Sequence, residues 1–257
     1  MHWIVALAII YRMVGERLFS VEPKVAFMSL TSALSGVECC GKTMADINNE
    51  RNHMTLKLHH LNASRSQRLV WLLEEMQLPH EIIHYTRSTE TNLAPDTLLN
   101  IHPLGKSPLL EDDALVIAET GAIAEYLLAK YDTEHKFHPA SSSPDYAKYI
   151  EWVHAAEGAP FLPFLLVVYM RVANAEGSPL EARLIEEQMK VIGFIENHLS
   201  HNAYFGGDNF SAADCLMGFN IQNMSMHPAF DKSGATAAWL EKVKQRPAYQ
   251  RMLAVGI

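Results

Sequence analysis

The sequence predicts an α/β domain followed by an all-α helical bundle, and three observations predict it. Residues 55–85 alternate in polarity, turn helical and become apolar again, which makes a strand–helix–strand unit. Residues 107–120, Ser-Pro-Leu-Leu-Glu-Asp-Asp-Ala-Leu-Val-Ile-Ala-Glu-Thr, read as two short apolar strands joined by an acidic turn and running into a helix. From Asp145 onward no strand pattern survives, and long helical segments take over.

Residues 1–53 differ from the rest. Trp3 to Ile10 is an apolar run, too short to span a bilayer. It has no basic start and no small-residue cleavage site follows, so a secretory signal fits poorly. Asn48 to His53 is polar and reads as linker. The expectation is a leader, added or misassigned, with little fixed structure; the rival is a membrane-associating or targeting helix.

Thr55 to His59 alternates and forms the first strand. Ser64 to Met76 carries apolar residues at 69, 72, 73 and 76, the spacing of an amphipathic helix with Ser64 as its cap. Leu78-Pro79 ends that helix, and Glu81 to Tyr85 is a second strand, parallel to the first because a helix connects them. The polar stretch 86–105 holds a short helix at Asp96 to Asn100. Pro108 opens the hairpin, so the peptide before it reaches the cis form at modest cost. Asp112 and Asp113 form the turn, and a helix runs from Glu119 to Tyr131. The order β-α-β-α-β-β-α is that of a thioredoxin-like domain, complete by Tyr131.

Residues 54–132 thus form the first domain, 133–144 a Ser/Pro-rich linker, and 145–257 the helical domain. Tyr146 to Asn174 reads as one helix bent near Pro160 and Pro163. Pro179 to Leu199 is the next, with Pro in its first turn. Ser211-Ala212-Ala213-Asp214 is an acidic capping box, with Phe210 and Cys215 placed as a staple. Thr236 to Gln245 closes the bundle.

Composition bounds the function. Apolar residues make up 49% and charged ones 19%, so the chain builds a packed core. A net charge of −8 argues against general affinity for nucleic acid or anionic membranes, leaving residues 1–53 as the one route to a membrane. Three cysteines without a Cys-x-x-Cys make no disulfide framework, which points to a reducing, cytoplasmic location. The histidines are scattered, and adjacent His59 and His60 point to opposite sides of a strand, so no metal is expected. Glu119 and Thr120 place a carboxylate, a hydroxyl and open backbone N–H groups together, a seat for a small zwitterion. Thr120 as a plain helix cap is the alternative.

The stretch 107–120, together with that around Ser64, resembles the glutathione-binding half of the cytosolic glutathione transferases. Phe210-Ser211 with Asp214, following Gly206-Gly207-Asp208, resembles the folding motif of their helical domain, where the role is structural. The resemblance covers Met54 to the C-terminus. It implies glutathione as co-substrate, with no permanently bound cofactor. Ser107-Pro108 and Glu119-Thr120 are then the family's glutathione-holding pairs. Lys106 would face the glycine carboxylate, Ser107 would pair through its backbone, and Glu119 would take the γ-glutamyl ammonium. The resemblance also implies a homodimer.

A free thiol near pKa 8.5 is only a few per cent ionised at neutral pH, so the site must favour the anion. Where tyrosine-type transferases carry their hydroxyl, this chain has His59, His60 and Leu61. The resemblance therefore points to the serine type, with Ser64 as donor, Ser66 second, and Asn62 as an amide alternative. No cysteine lies in this loop, which counts against disulfide exchange as the main activity. His154, Phe161, Phe164 and Tyr169 are candidates to line a second, apolar site, although such spacing is more often core. Two functions follow: a transferase acting on apolar electrophiles with peroxide reduction on the side, or a non-catalytic binding or regulatory protein on the same fold.

Overall fold

A computed structural model describes residues 56–256, so the expectations for residues 1–53 lie outside the described residues. Strand β1 (Leu56–Leu61) leads through a turn to helix α1 (Gln67–Met76), and β2 (His80–Tyr85) follows. A 3₁₀ turn at Asp96–Asn100 precedes the hairpin of β3 (Leu109–Asp112) and β4 (Leu115–Ala118), which feeds α2 (Thr120–Tyr131). The sheet order is β2-β1-β3-β4, with β1 parallel to β2 and antiparallel to β3. Leu58 sits opposite Ile82 on one side and Leu110 on the other, and Leu58 and Leu110 are fully buried. Six helices follow: α3 (Tyr146–Ala155), α4 (Leu162–Val172), α5 (Pro179–Leu199), α6 (Ala212–Met224), α7 (Ala235–Lys244) and α8 (Pro247–Ala254). Among the described residues no helix is long and apolar enough to cross a membrane.

Four boundaries differ from the sequence expectation. Helix α1 starts at Gln67 rather than Ser64, because a turn of i→i+3 bonds winds first, Gln67 N–H donating to the Ser64 carbonyl at 3.2 Å. Ser64 still does a cap's work there, its Oγ accepting from the Ser66 N–H at 3.3 Å. The hairpin turn is Asp113-Ala114, while Asp112 lies within β3, paired with Leu115. Its buried carboxylate accepts from Tyr126 and Lys130 at 2.6 Å each and from Tyr131 at 3.0 Å. Burial alone would raise its pKa; these donors outweigh that and hold it below the ordinary carboxylate value.

The third difference is that the single helix expected over 146–174 is broken into α3 and α4. Gly158 and Phe161 close successive turns onto Ala155 and Gly158 at 2.9 and 3.0 Å, and Pro163 sits in the first turn of α4, where its missing N–H costs nothing. The fourth is α8, which the sequence reading missed. Pro247 opens it, and Ala248, Tyr249 and Met252 are buried against α1 and its neighbours.

Helix α1 is the keystone of the packing. Leu69 to Leu73 are all buried because the sheet covers one side and the helical half the other. Trp71 packs edge-on to Tyr249 with ring centres 4.8 Å apart and donates its indole N–H to Glu75. Opposite it stands Gly218 of α6, where a Cβ would lie 2.6 Å from the indole ring, so only hydrogen fits.

His198, at the end of α5, lies between Trp152 and Phe205 and meets the Tyr204 carbonyl through Nε2 at 3.3 Å. Burial lowers its pKa, the Tyr204 carbonyl pulls it back up, and Lys148 lowers it further. Its folded value lies below the unfolded value of about 6.5, so its stabilisation is present above that pH and is lost as pH falls toward the folded value. From pH 7.5 down to 5.5 this group pulls the urea midpoint down while Asp214, whose carboxyl burial raises to about 6, pulls it up. His198→Gln is expected to make the midpoint fall less, or rise more, than in the wild type. An equal slope in the variant would contradict this assignment.

Candidate functional site

One open cleft, about 360 Å³ of empty space, gathers most of the residues singled out by sequence. Lys106, Ser107, Pro108, Glu119 and Thr120 line it together with Arg65, His102 and Leu104. The Ser107-Pro108 peptide is cis. Ser107 Oγ donates to the His59 carbonyl at 2.8 Å and accepts from the Leu61 N–H at 3.2 Å, tying the turn before β3 to the end of β1. The backbone N–H and C=O of Ser107 make no hydrogen bond among the described residues, which leaves a strand edge facing the cleft.

Glu119 immediately precedes α2 with φ at +72°, a conformation that a non-glycine residue adopts only when its surroundings enforce it. Its side chain makes no cap bond and is exposed, so the carboxylate is available to a ligand. Thr120 is the first helical residue and is buried, so the plain-cap alternative does not describe it. The N–H groups of Thr120, Gly121 and Ala122 have no backbone partner, and the first one paired is Ile123, to Glu119 at 2.9 Å. An anionic group meets three open donors and the positive end of the helix dipole there.

The second group of candidates lies in the β1–α1 turn. Ser64 Oγ and Ser66 Oγ are 2.8 Å apart, and both residues are buried. Ser66 Oγ also accepts from the Leu61 N–H at 3.2 Å, the same N–H that meets Ser107 Oγ. The hydroxyl pair and the strand edge of the cleft therefore converge on one amide. Asn62 is turned elsewhere: its Oδ1 accepts from the Arg87 N–H at 3.0 Å, while Arg87 Nε donates to the Asn62 carbonyl at 3.2 Å.

Sequence reasoning missed Arg65, His102 and Leu104 in the cleft. Arg65 stands beside Ser64, and its guanidinium pairs with Glu157 and lies 4.9 Å above the Phe161 ring. Glu157 also holds Arg68, which is fully buried and donates to Asn220 Oδ1 at 2.7 Å and to the Ala156 carbonyl at 3.1 Å. Burial pulls the Arg68 guanidinium down to about 10, with Glu157 opposing. Of the proposed apolar-site residues, Phe161 lies under Arg65, and Phe164 packs edge-on to His227. His154 and Tyr169 are exposed, His154 within 3.6 Å of Glu125. No cluster of three or more metal-ligating side chains occurs among the described residues.

Residues 54–129 match the family described as glutathione S-transferase, N-terminal domain, and residues 159–247 the one described as glutathione S-transferase, C-terminal domain. Glutathione S-transferase 3 of Schizosaccharomyces pombe is 34% identical over 207 residues, covering 74% of this chain and 84% of the relative. Glutathione S-transferase 1 of Saccharomyces cerevisiae is 30% identical over 219 residues, covering 76% and 92%. Among solved structures, a glutathione S-transferase from Actinobacillus pleuropneumoniae superposes with a TM-score of 0.71 at 31% identity, over 78% of this chain and 92% of that one. A glutathione transferase from Phanerochaete chrysosporium with oxidized glutathione gives 0.66 at 26%, over 79% and 94%.

Proposed function

The chain belongs to the glutathione S-transferase family, and on that premise we propose that it joins the thiolate of glutathione to apolar electrophiles. The observation that carries this reading is the cleft itself, which presents one complementary group for each part of the tripeptide. Lys106 takes the glycine carboxylate. The open backbone of Ser107 pairs with the cysteinyl unit as an added strand would. Glu119 takes the γ-glutamyl ammonium, while Thr120 and the free N–H groups of α2 take the neighbouring carboxylate. This orientation brings the sulfur toward the β1–α1 turn, where Ser64 donates to the thiolate and the start of α1 adds its positive dipole end. Lowering the thiol pKa by about two units needs roughly 2.7 kcal/mol of preference for the anion. A hydroxyl and a helix start shielded from water together supply this. Peroxide reduction by the same thiolate is a side activity, and the protein acts in the cytoplasm.

The second copy expected of a homodimer has a surface to bury. Val168 and Val172 of α4 and Met189 of α5 are exposed, Val172 by 78%.

An absorbance assay with a chloronitrobenzene acceptor, run on the wild type and on Ser64→Ala, tests the transferase reading. The variant is expected to lose about five- to fiftyfold in kcat/KM at pH 6.5, the thiolate fraction forfeited as the pKa climbs one to two units toward 8.5. Retention of the wild type on immobilised glutathione without turnover would overturn catalysis in favour of a binding or regulatory role.

A further inference from the structure

His60 is a buried histidine outside the cleft lining, and its surroundings give it one defined tautomer. Its Nε2 lies 3.1 Å from the Gly256 carbonyl, which only accepts, so Nε2 carries the hydrogen. Nδ1 is then the acceptor, and Ser66 Oγ–H donates to it at 2.8 Å. Ser66 Oγ is in turn 2.8 Å from Ser64 Oγ. The Leu61 N–H also donates to Ser66 Oγ, at 3.2 Å, fixing it between its neighbours. A continuous chain of two hydroxyls thus joins Ser64 to a neutral imidazole. Its resting polarity runs inward, Ser64 donating to Ser66 and Ser66 to His60. With the hydrogens so arranged, the Ser64 proton points away from any sulfur beside it.

We propose that His60, acting through Ser66, is the positioning residue that accepts the thiol proton and turns the Ser64 hydroxyl toward the thiolate. The proposal rests on the reading of Ser64 as the thiol's partner. In the step, the S–H bond breaks and its proton passes to Ser64 Oγ. The Ser64 proton passes to Ser66 Oγ, and the Ser66 proton passes to His60 Nδ1. No oxidation or reduction occurs, and the products are a thiolate and an imidazolium. Every bond in the chain has then reversed: His60 Nδ1–H donates to Ser66, Ser66 to Ser64, and Ser64 to sulfur. After conjugation the proton returns along the same hydroxyls to the leaving group or solvent.

Burial lowers the His60 pKa, the Gly256 carbonyl opposes this, and His84 of β2, its ring edge-on at 5.7 Å, lowers it further. Among the described residues His84 is the titratable side chain facing the ring, since His59 turns to Tyr85 and Glu111 on the other side of β1. His60 is accordingly neutral near pH 7; the same burial makes it a weak base, so the proton it receives is held only while the thiolate stands at the other end of the hydroxyl chain.

The test uses the full chain with His60→Asn, which keeps an acceptor beside Ser66 but takes no proton, and Ser66→Ala, which cuts the chain in its middle. Ultraviolet absorbance of bound glutathione reads the thiol pKa, calorimetry reads its Kd, and kcat/KM is followed against pH. Both variants are expected to bind glutathione within about twofold of wild type and to raise the bound thiol pKa by about one unit. Both should lose roughly fivefold in kcat/KM at pH 6.5 and carry the acid limb of the profile about one unit higher. If His60→Asn fails to fold, Ser66→Ala decides alone, because it leaves the His60–Gly256 contact in place. Unshifted thiol pKa and an acid limb that stays in its wild-type place in a variant that binds glutathione would overturn the relay. That result is distinct from failure of the functional reading, which would show as wild type that does not bind glutathione or as Ser64→Ala without loss.

Discussion

Asp214→Ala is expected to destabilise the protein by about 4 kcal/mol, the largest single loss outside the hydrophobic core. Asp214 is fully buried at the start of α6 and accepts four hydrogen bonds. The Phe205 N–H and the Trp239 indole N–H meet Oδ1 at 3.0 Å each, while the Ser211 N–H and hydroxyl meet Oδ2 at 2.9 and 3.1 Å. Alanine leaves three N–H donors orphaned among buried residues, each costing about 1–3 kcal/mol less what relaxation recovers. For a chain of this size the loss corresponds to roughly 10 °C in Tm. Asparagine does not rescue it, because an NH₂ group would face an N–H donor on one side. Its expected loss is about half that of alanine. Thermal and urea unfolding read both; an alanine variant within about 1 kcal/mol of wild type would show that water replaces the carboxylate.

Glu157→Ala is expected to cost about 3 kcal/mol and to raise the KM for glutathione severalfold. Arg68 is fully buried between the rings of Phe161 and Phe219, 5.6 and 5.3 Å from its guanidinium carbon. Glu157 is its counter-ion, and removing one partner of a buried pair leaves a charge with nowhere to go, typically 3–5 kcal/mol. Glu157 is itself about a quarter exposed, and Asn220 and Ala156 still hold Arg68, which puts the loss at the low end. The same carboxylate anchors Arg65 at the cleft, which links the stability loss to ligand affinity. Replacing Arg68 and Glu157 together by methionine is expected to recover most of the stability but not the KM. Urea unfolding and steady-state kinetics on the three variants separate the two effects.

The parts of this molecule legible in its sequence are those written in local pattern. Alternation at 56–59, the 3.6-residue spacing after Ser64 and the apolar hairpin around Asp113 gave the sheet and its first helix. Ser211 and Asp214 marked the start of α6 in the same way. What stayed hidden depends on distance along the chain. Arg68 meets Glu157 across 89 positions, and His60 meets Gly256 across 196, so no window of neighbouring residues carries either contact. His102 and Leu104 enter the cleft because the chain folds back before Lys106, which polarity alone does not reveal. Helix α8 follows so closely on α7 that its only signals were Pro247 and the spacing of Tyr249 and Met252.

The missing side chain at Gly218 has a consequence for how this chain tolerates rebuilding. The indole of Trp71 rests where that side chain would be, so the ring packs directly on the α6 backbone and sets the spacing between α1 and α6. A methyl group inserted there acts as a wedge, and the displacement travels along α1 to the turn that precedes it, where the hydroxyls of Ser64 and Ser66 stand. The α/β half and the helical half are therefore not interchangeable modules. A helical half grafted from another protein would have to reproduce this bare contact before the chemistry at the far end of α1 came back into alignment.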